Sequence, residues 1–372
     1  MAKKSPKKAP IKKKAFSMAD MRKDLGLNDL SVKDKPLSYI PFSKAYHEAV
    51  GQPGIAKGYV TLFRGFSDTG KSTSVYEATV GCQKLGILPV IIDTENSWSW
   101  EHAKEIGVEF EEIVDKDTGE ITDYVGNFLY INNDALIAMY GLFDYDEAKD
   151  KKTRRGVAVN EDVARFVEEL LDKQANGEYP VEFCFMWDSI GSIDCFKSWK
   201  SKSKNNMWNA GSLESSFKSI LNHRIPSSRK EGKEYTNTFL GVQKIWIDSM
   251  QGAGVIKHKG GEAFFYGARQ IVHMGGIQSH GTSTLDATSK GNKYAFGTKA
   301  KIKIVKNQIG GVTWEGQIAS TPHGFINPDK KNDYVDEHRD YLLSKLNVGS
   351  DDEITIEESE PSADSVRDMF VS

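Results

Sequence analysis

The stretch GFSDTGKS, Gly65 to Ser72, constrains this chain more than any other, because it fits G-x-x-x-x-G-K-[S/T] and lies between two segments of different periodicity. The preceding GYVTLFRGF is a continuous apolar run that reads as a buried strand; the following KSTSVYEATVGCQKLG reads as a helix stopped by Gly86. LPVIIDTE then reads as a second buried strand, which gives a β-loop-α-β unit and hence a parallel sheet. In such a loop, backbone N–H groups and the positive helix N-terminus surround phosphate oxygens. Gly65, Ser67, Asp68, Thr69, Gly70, Lys71, Ser72 and Thr73 are therefore the predicted binding residues for a nucleoside triphosphate. Lys71 would reach the terminal phosphates, and the Ser72 hydroxyl would ligate Mg2+.

The rest of the chain extends this pattern. Val159, Val163, Phe166, Val167, Leu170 and Leu171 form one stripe of a helix that must cover a sheet or another helix. VEFCFMWDSIG reads as a buried strand, SLESSFKSILNHRI as a helix, NTFLGVQ and ARQIVHMGGIQ as strands, and KAKIKIVKNQI as an alternating, half-buried strand. The expected fold class is α/β, a mostly parallel twisted sheet flanked by helices. With 39% hydrophobic and 27% charged residues among 372, and no long Pro/Ser-rich linker, a single core over residues 37–330 is the simplest account. Between about 111 and 160 the signals are poor, and an insertion is expected, with DKDTGE as a hairpin turn and KDKKTRRG as an exposed loop. The acidic turn is not a calcium loop, since Gly119 falls one position too early.

A net charge of −3 hides two opposite ends: seven lysines and no acid in the first 14 residues, eight acids against Arg367 from Asp351 on. Flexible tails are expected over 1–36 and 331–372. The basic one is either a solubility arm or a phosphate-backbone contact. No apolar window is long enough for a bilayer and no secretory signal follows the first lysines, so a cytoplasmic protein without membrane contact is expected. Cys82, Cys184 and Cys195 have no C-x-x-C spacing and read as reduced core residues.

A phosphate loop hydrolyses nothing alone; it needs a carboxylate for the metal and a group to activate water. Asp188 ends the apolar run FCFMWD and is the expected metal carboxylate. Glu95 ends VIIDTE, the strand after the phosphate-loop helix, and is the expected general base, with Asp93 as the alternative. HRIPSSRKEGKEY is basic and reads either as a DNA contact or as a solvated loop.

The order GFSDTGKST, VIIDTE with its Glu 24 residues beyond the Lys, MWDSIGS, GVQ, GGEAFFYGARQ and KIKIVKNQIGG resembles the RecA-type recombinases. IPFSKAYHEAVGQPGIAKG is similar to their bacteriophage UvsX-like branch. The resemblance covers most of Pro41 to Ile326 and implies a RecA-like P-loop core, ATP and Mg2+ as cofactors, and DNA-dependent ATP hydrolysis. It implies a helical homo-oligomer on single-stranded DNA that pairs with homologous double-stranded DNA; a loader or single-strand-binding partner is left open. Lys71, Glu95 and Gln243 are the implied catalytic set, with Gln243 sensing the γ-phosphate at the start of a DNA loop, Lys244 to Gly261. Lys244, Trp246, Lys257 and Lys259 in that loop, and Lys197, Lys200, Lys202, Lys204 and Trp208 in an earlier one, are the implied DNA contacts. Lys303 and Lys306 match lysines that reach a neighbour's ATP, and Phe16 to Ala19 resembles an F-x-x-A polymerisation segment. Equal spacing puts His102 where the family carries an adenine-stacking aromatic, with Trp98 and Trp100 nearby. Two rivals remain open, a hexameric replicative helicase of the same core and a nucleotide-switched DNA-binding scaffold with negligible hydrolysis.

Overall fold

From Val60 to Met274 strands and helices are interspersed, a run of strands follows to Ile326, and most of the strands gather into one mixed sheet. A computed structural model describes residues 17–26, 33–146, 151–202, 206–248, 255–258, 262–275 and 282–359. Its 12-stranded sheet contains, in chain order, β1 (Val60–Gly65), β2 (Leu88–Asp93), β3 (Leu129–Asn132), β4 (Phe183–Ile190), β5 (Thr238–Asp248), β6 (Val255–His258), β7 (Gln270–Met274), β8 (Thr282–Ser289), β9 (Asn292–Asn307), β10 (Glu315–Thr321), β11 (Gly324–Ile326) and β12 (Thr355–Ser359). The main order is β11-β10-β9-β7-β1-β5-β4-β2-β3, with β7 through β3 mutually parallel and β9, β10 and β11 antiparallel additions.

Burial on both faces explains the near-continuous apolar runs of the parallel strands. On β4, Phe183, Phe185 and Trp187 face one core with the helix stripe Val163, Phe166, Val167, Leu170 and Leu171. Cys184 and Met186 face the other core, with Val75, Ala78 and Cys82 of the helix after the phosphate loop. That helix, α1 (Thr73–Leu85), ends at Gly86, whose φ of 68° closes the cap in the left-handed region that glycine reaches without strain. The stripe belongs to α2 (Asn160–Ala175), and removing one such buried side chain costs about 2–5 kcal/mol.

Several expectations are corrected. The region 111–160 is not wholly an insertion. Glu111–Val114 and Ile121–Val125 do form a hairpin around DKDTGE, but β3 within the region is the outer parallel strand of the main sheet. KDKKTRRG is not simply a loop either, because Lys151–Arg154 pairs with Leu142–Asp146. The C-terminal segment is not a free tail up to Ser359: Lys331–Glu337 and Arg339–Leu346 are helices and β12 pairs with β8. Tyr334, Val335, Leu342 and Leu346 are the reason, since they bury against Leu285, Ala287 and Phe296 of the sheet and outweigh the acidity of the residues beyond them. Finally, the segment after Gln243 is a β-hairpin rather than a loose loop: β5 runs on to Asp248 and β6 returns alongside it.

Candidate nucleotide-binding and catalytic site

The parallel strands end in one row. Gly65 of β1 is level with Lys244 of β5 and Met274 of β7; Asp93 of β2 is level with Asp188 of β4; Ile190 is level with Gln243. Residues distant in the chain therefore share the crevice at the carboxyl ends of the strands, where ligands of open α/β sheets bind.

The loop between β1 and α1 is built for close approach. Asp68 and Gly70 have φ of 58° and 84°, so the chain curls back on itself. A Cβ on Gly65 would sit 2.2 Å from the Met274 carbonyl oxygen, which leaves only glycine there. The Thr69 hydroxyl donates to the Phe66 carbonyl at 3.0 Å, and the Thr73 hydroxyl meets Ser320 of β10. Lys71 is buried, with its ammonium donating to the Phe66 carbonyl oxygen. Burial pushes its pKa down to about 8, opposed by the carboxylate of Asp188.

Asp188 is buried beside it, and burial pushes its pKa up to about 6, against a hydrogen bond from the Ser72 side chain. The negative charges of Glu95 and Asp93 add to the rise. Glu95 accepts a hydrogen bond from the Ser189 hydroxyl and an ion pair from Lys244 at 3.0 Å. Asp93 faces away from that pair, and its carboxylate accepts the N–H groups of Glu95, Ser97 and Trp98 at 3.1, 3.1 and 2.8 Å and the Tyr130 hydroxyl at 3.1 Å. It organises the loop that carries Glu95. Gln243 is buried within β5, at the last position where β5 pairs with β4 and one residue before Lys244.

The other sequence-predicted residues lie further out. His102, on Trp100–Ile106, sets its ring edge-on against Tyr76 of α1 at 4.6 Å, and burial lowers its pKa. Tyr76 also stacks on Trp98 at 4.2 Å, so the aromatics beside the loop form one cluster. Lys303 pairs with Glu315 at 2.9 Å, and Lys306 donates to the Phe265 and Tyr266 carbonyls at 2.8 and 3.3 Å. Lys197, Lys200 and Lys202 are exposed around the short helix Phe196–Ser201, with Lys197 4.4 Å from the ring centre of Trp208. On the hairpin, Trp246 of β5 pairs with Lys257 of β6. Lys204, Lys259 and Phe16 lie outside the described residues, whereas Ala19 is on the exposed helix Met18–Asp24.

Sequence reading missed the bracing around Glu95. Ser189 directly follows Asp188 and is visible in the sequence; Ser320, which meets Thr73 of α1 rather than Glu95, comes 247 residues after it and carries no local signal. In the sequence Lys244 reads as a DNA contact alone, yet its ammonium pairs with Glu95.

Fold and crevice define an α/β protein with a glycine-lysine phosphate loop. Comparison with models of protein families finds no match. Among curated proteins, the chain is 31% identical over 121 residues to the protein RecA of Mycobacteroides abscessus, covering 30% of this chain and 35% of that protein. It is 31% identical over 120 residues to RecA of Mycobacterium leprae, 17% of that protein, and 32% identical over 90 residues to RecA of Streptomyces coelicolor, 24% of that protein. The matched stretch spans about a third of the first relatives' length. This partial similarity supports a RecA-type family and the themes of ATP binding and DNA recombination or repair.

Proposed function

We propose that the chain is an ATP-dependent DNA recombinase of RecA type, with its ATPase core over residues 37–330. In this reading it polymerises on single-stranded DNA and pairs that strand with a homologous duplex. The observation that carries the reading is the ion pair between Glu95 and Lys244, which joins the carboxylate beside the phosphate loop to the strand that continues into the β5–β6 hairpin. A change at the nucleotide then has a direct route to the hairpin, as coupling of ATP state to DNA grip requires.

The residues fit ATP and Mg2+. Gly65 and Gly70 let the loop close tightly against Met274 and Ser320, the Lys71 charge meets a loop carbonyl and a hydroxyl, and Ser72 and Asp188 form a hard-oxygen pair. Bound there, Mg2+ would neutralise charge on the phosphates. Lys71 exchanges the Phe66 carbonyl for phosphate oxygens. Glu95 orients the attacking water and takes its proton once Lys244 withdraws, because an ion-paired carboxylate is a weaker base. Gln243 reports the terminal phosphate to Lys244, its neighbour in β5. Lys303 and Lys306, on the antiparallel side of β7, complete a neighbour's site, and Phe16 to Ala19 hooks adjacent copies. The exposed lysines Lys197, Lys200 and Lys202 and the hairpin contact phosphates, with Trp208 and Trp246 against bases. The segment IPFSKAYHEAVGQPGIAKG favours the bacteriophage UvsX-like branch. Among the described residues no helix is long and apolar enough to cross a membrane.

The test is phosphate release with and without single-stranded DNA, paired with electron microscopy on a non-hydrolysable ATP analogue. DNA-stimulated hydrolysis and helical filaments are expected. Closed rings would favour the helicase, DNA binding without hydrolysis the scaffold, and a monomer indifferent to oligonucleotides would overturn the reading.

A further inference from the structure

The basic segment HRIPSSRKEGKEY has no part in the crevice, and the structure places it at the opposite edge of the sheet. Tyr59, Glu182 and Thr236 stand just before β1, β4 and β5, at the amino ends of the strands. Above them lies a cavity of about 280 Å³, whose lining includes Lys35, Lys57, Tyr59, Glu182, Arg229 and Thr236. The segment around Lys35 straps across it: Asp34 bridges to Lys230 as an isolated β pair, and the Lys35 N–H donates to the Arg229 carbonyl at 2.8 Å.

Three observations mark the cavity as cationic and preformed. The Arg229 guanidinium is locked, 4.0 Å over the Tyr59 ring and bonded to its hydroxyl and to Asp34 at 3.2 Å. Gly58 makes room for it: its φ is +78°, and a Cβ there would sit 2.0 Å from the Arg229 Cγ. Among the described residues, charge is left over at Lys35 as well. Glu182 is engaged by Lys57 at 2.6 Å and by the Thr236 N–H at 3.0 Å, while Arg229 and Lys230 share the single carboxylate of Asp34. Among the described residues the Lys35 ammonium meets neutral acceptors, the Thr236 hydroxyl at 2.9 Å and the Glu234 carbonyl at 3.4 Å. Nearby Lys33 and Glu231 cancel each other. The third observation is position, since both cations line the same cavity. A fixed guanidinium together with an ammonium that meets only neutral acceptors among the described residues is what a bound oxyanion would pair with.

We propose that this pocket binds a phosphoryl oxyanion, held by Lys35 and Arg229 and supplied by a polynucleotide backbone or by free phosphate. It is separate from the nucleotide crevice, so the two assignments fail independently.

Calorimetric titration of inorganic phosphate into full-length Lys71→Ala protein, whose crevice is disabled, isolates this pocket. Binding is expected, weakened about tenfold by Lys35→Gln and by Arg229→Gln. No binding in the Lys71→Ala protein, or affinity unchanged by both added substitutions, overturns the proposal. If Arg229→Gln does not fold, as judged by its thermal melt, Lys35→Gln carries the test, since Lys35 anchors no core. A second arm measures anisotropy of an oligonucleotide without terminal phosphates on otherwise unaltered protein. If the backbone is the source, Lys35→Gln lowers the slope of log affinity against log salt by about one. Phosphate binding sensitive to Lys35→Gln with an unchanged salt slope assigns the pocket to free phosphate and leaves the proposal standing.

Discussion

The parallel half of the sheet and the antiparallel half treat charge in opposite ways. At the carboxyl ends of β1, β2, β4 and β5, the largest influence on Lys71 and Asp188 is burial, which drives the lysine down to about 8 and the aspartate up to about 6. On the outer strands, the largest influence on Glu358 of β12 is its bond to Lys299, which holds its pKa down to about 2. Lys331 and the Ser283 hydroxyl add to that, at 3.2 and 2.9 Å. Among the described residues, burial outweighs pairing in the first group and pairing outweighs burial in the second. Burial-driven shifts of opposite sign on a neighbouring lysine and aspartate are the pattern that binding crevices commonly show, which agrees with the motif.

The largest effect that tests this contrast is on rate. Glu95→Gln keeps shape and hydrogen bonding to Ser189 but cannot take a proton, so DNA-stimulated phosphate release should fall by about 10²–10⁴. Retained turnover would shift the base elsewhere. Lys71→Ala should weaken ATP binding by more than about 100-fold in a fluorescent-nucleotide titration, because the phosphates lose their buried cation. Affinity within tenfold of the original protein would mean that the crevice is not the nucleotide site.

Asp188 gives the contrast a sign in pH. Its folded pKa is raised above the usual carboxylate value, so its contribution to ligand-free stability is most favourable below about 4 and is lost as pH rises through about 6. Asp188→Asn should therefore stabilise the ligand-free protein at neutral pH, by about 1–3 kcal/mol, while Mg2+-dependent ATP binding is lost. Denaturant titration at pH 5 and pH 8 checks it: a gain no larger at pH 8 would contradict the burial-driven rise.

How much of this was legible in the chain depends on the range of the interactions. The phosphate loop, α1, the α2 stripe and the strands that carry Asp93, Asp188 and Gln243 are local patterns, and periodicity with one motif recovers them. The sequence favours Glu95 over Asp93 as the base but not the reason they differ in surroundings: Asp93 is engaged by three loop N–H groups and by Tyr130 of a strand 37 residues on, a contact no local pattern carries. The fold of Lys331 to Ser359 was hidden by composition: its acids are obvious, whereas Tyr334, Leu342 and Leu346 gain their value only against Phe296 and Leu285 of strands far earlier in the chain. Lys244 was legible as a cation but not as the partner of Glu95, 149 positions away.

Gln243→Ala sharpens the link between the crevice and the hairpin. ATP affinity should stay near its original value, while the enhancement of DNA affinity by ATP should shrink about tenfold, the size of an ordinary coupling energy. An equal enhancement in both proteins would remove Gln243 from the coupling and leave the Glu95–Lys244 pair to carry it.

The smallest effect belongs to the outer half. Glu358 is partly solvated, so Glu358→Gln should cost less than about 1 kcal/mol at pH 7 despite its two lysine partners. Its folded pKa lies below the usual glutamate value, so its stabilisation is present above pH 4.5 and is lost as pH falls towards 2, opposite in direction to Asp188. Thermal melts of Glu358→Gln and the original protein should therefore differ at pH 7 and converge as pH approaches 2. A difference that instead persists at low pH would show that the carboxylate charge is not what holds β12 against β8. The strand's place would then rest on Ile356 and the backbone ladder to β8, and the contrast between the two halves would reduce to burial alone.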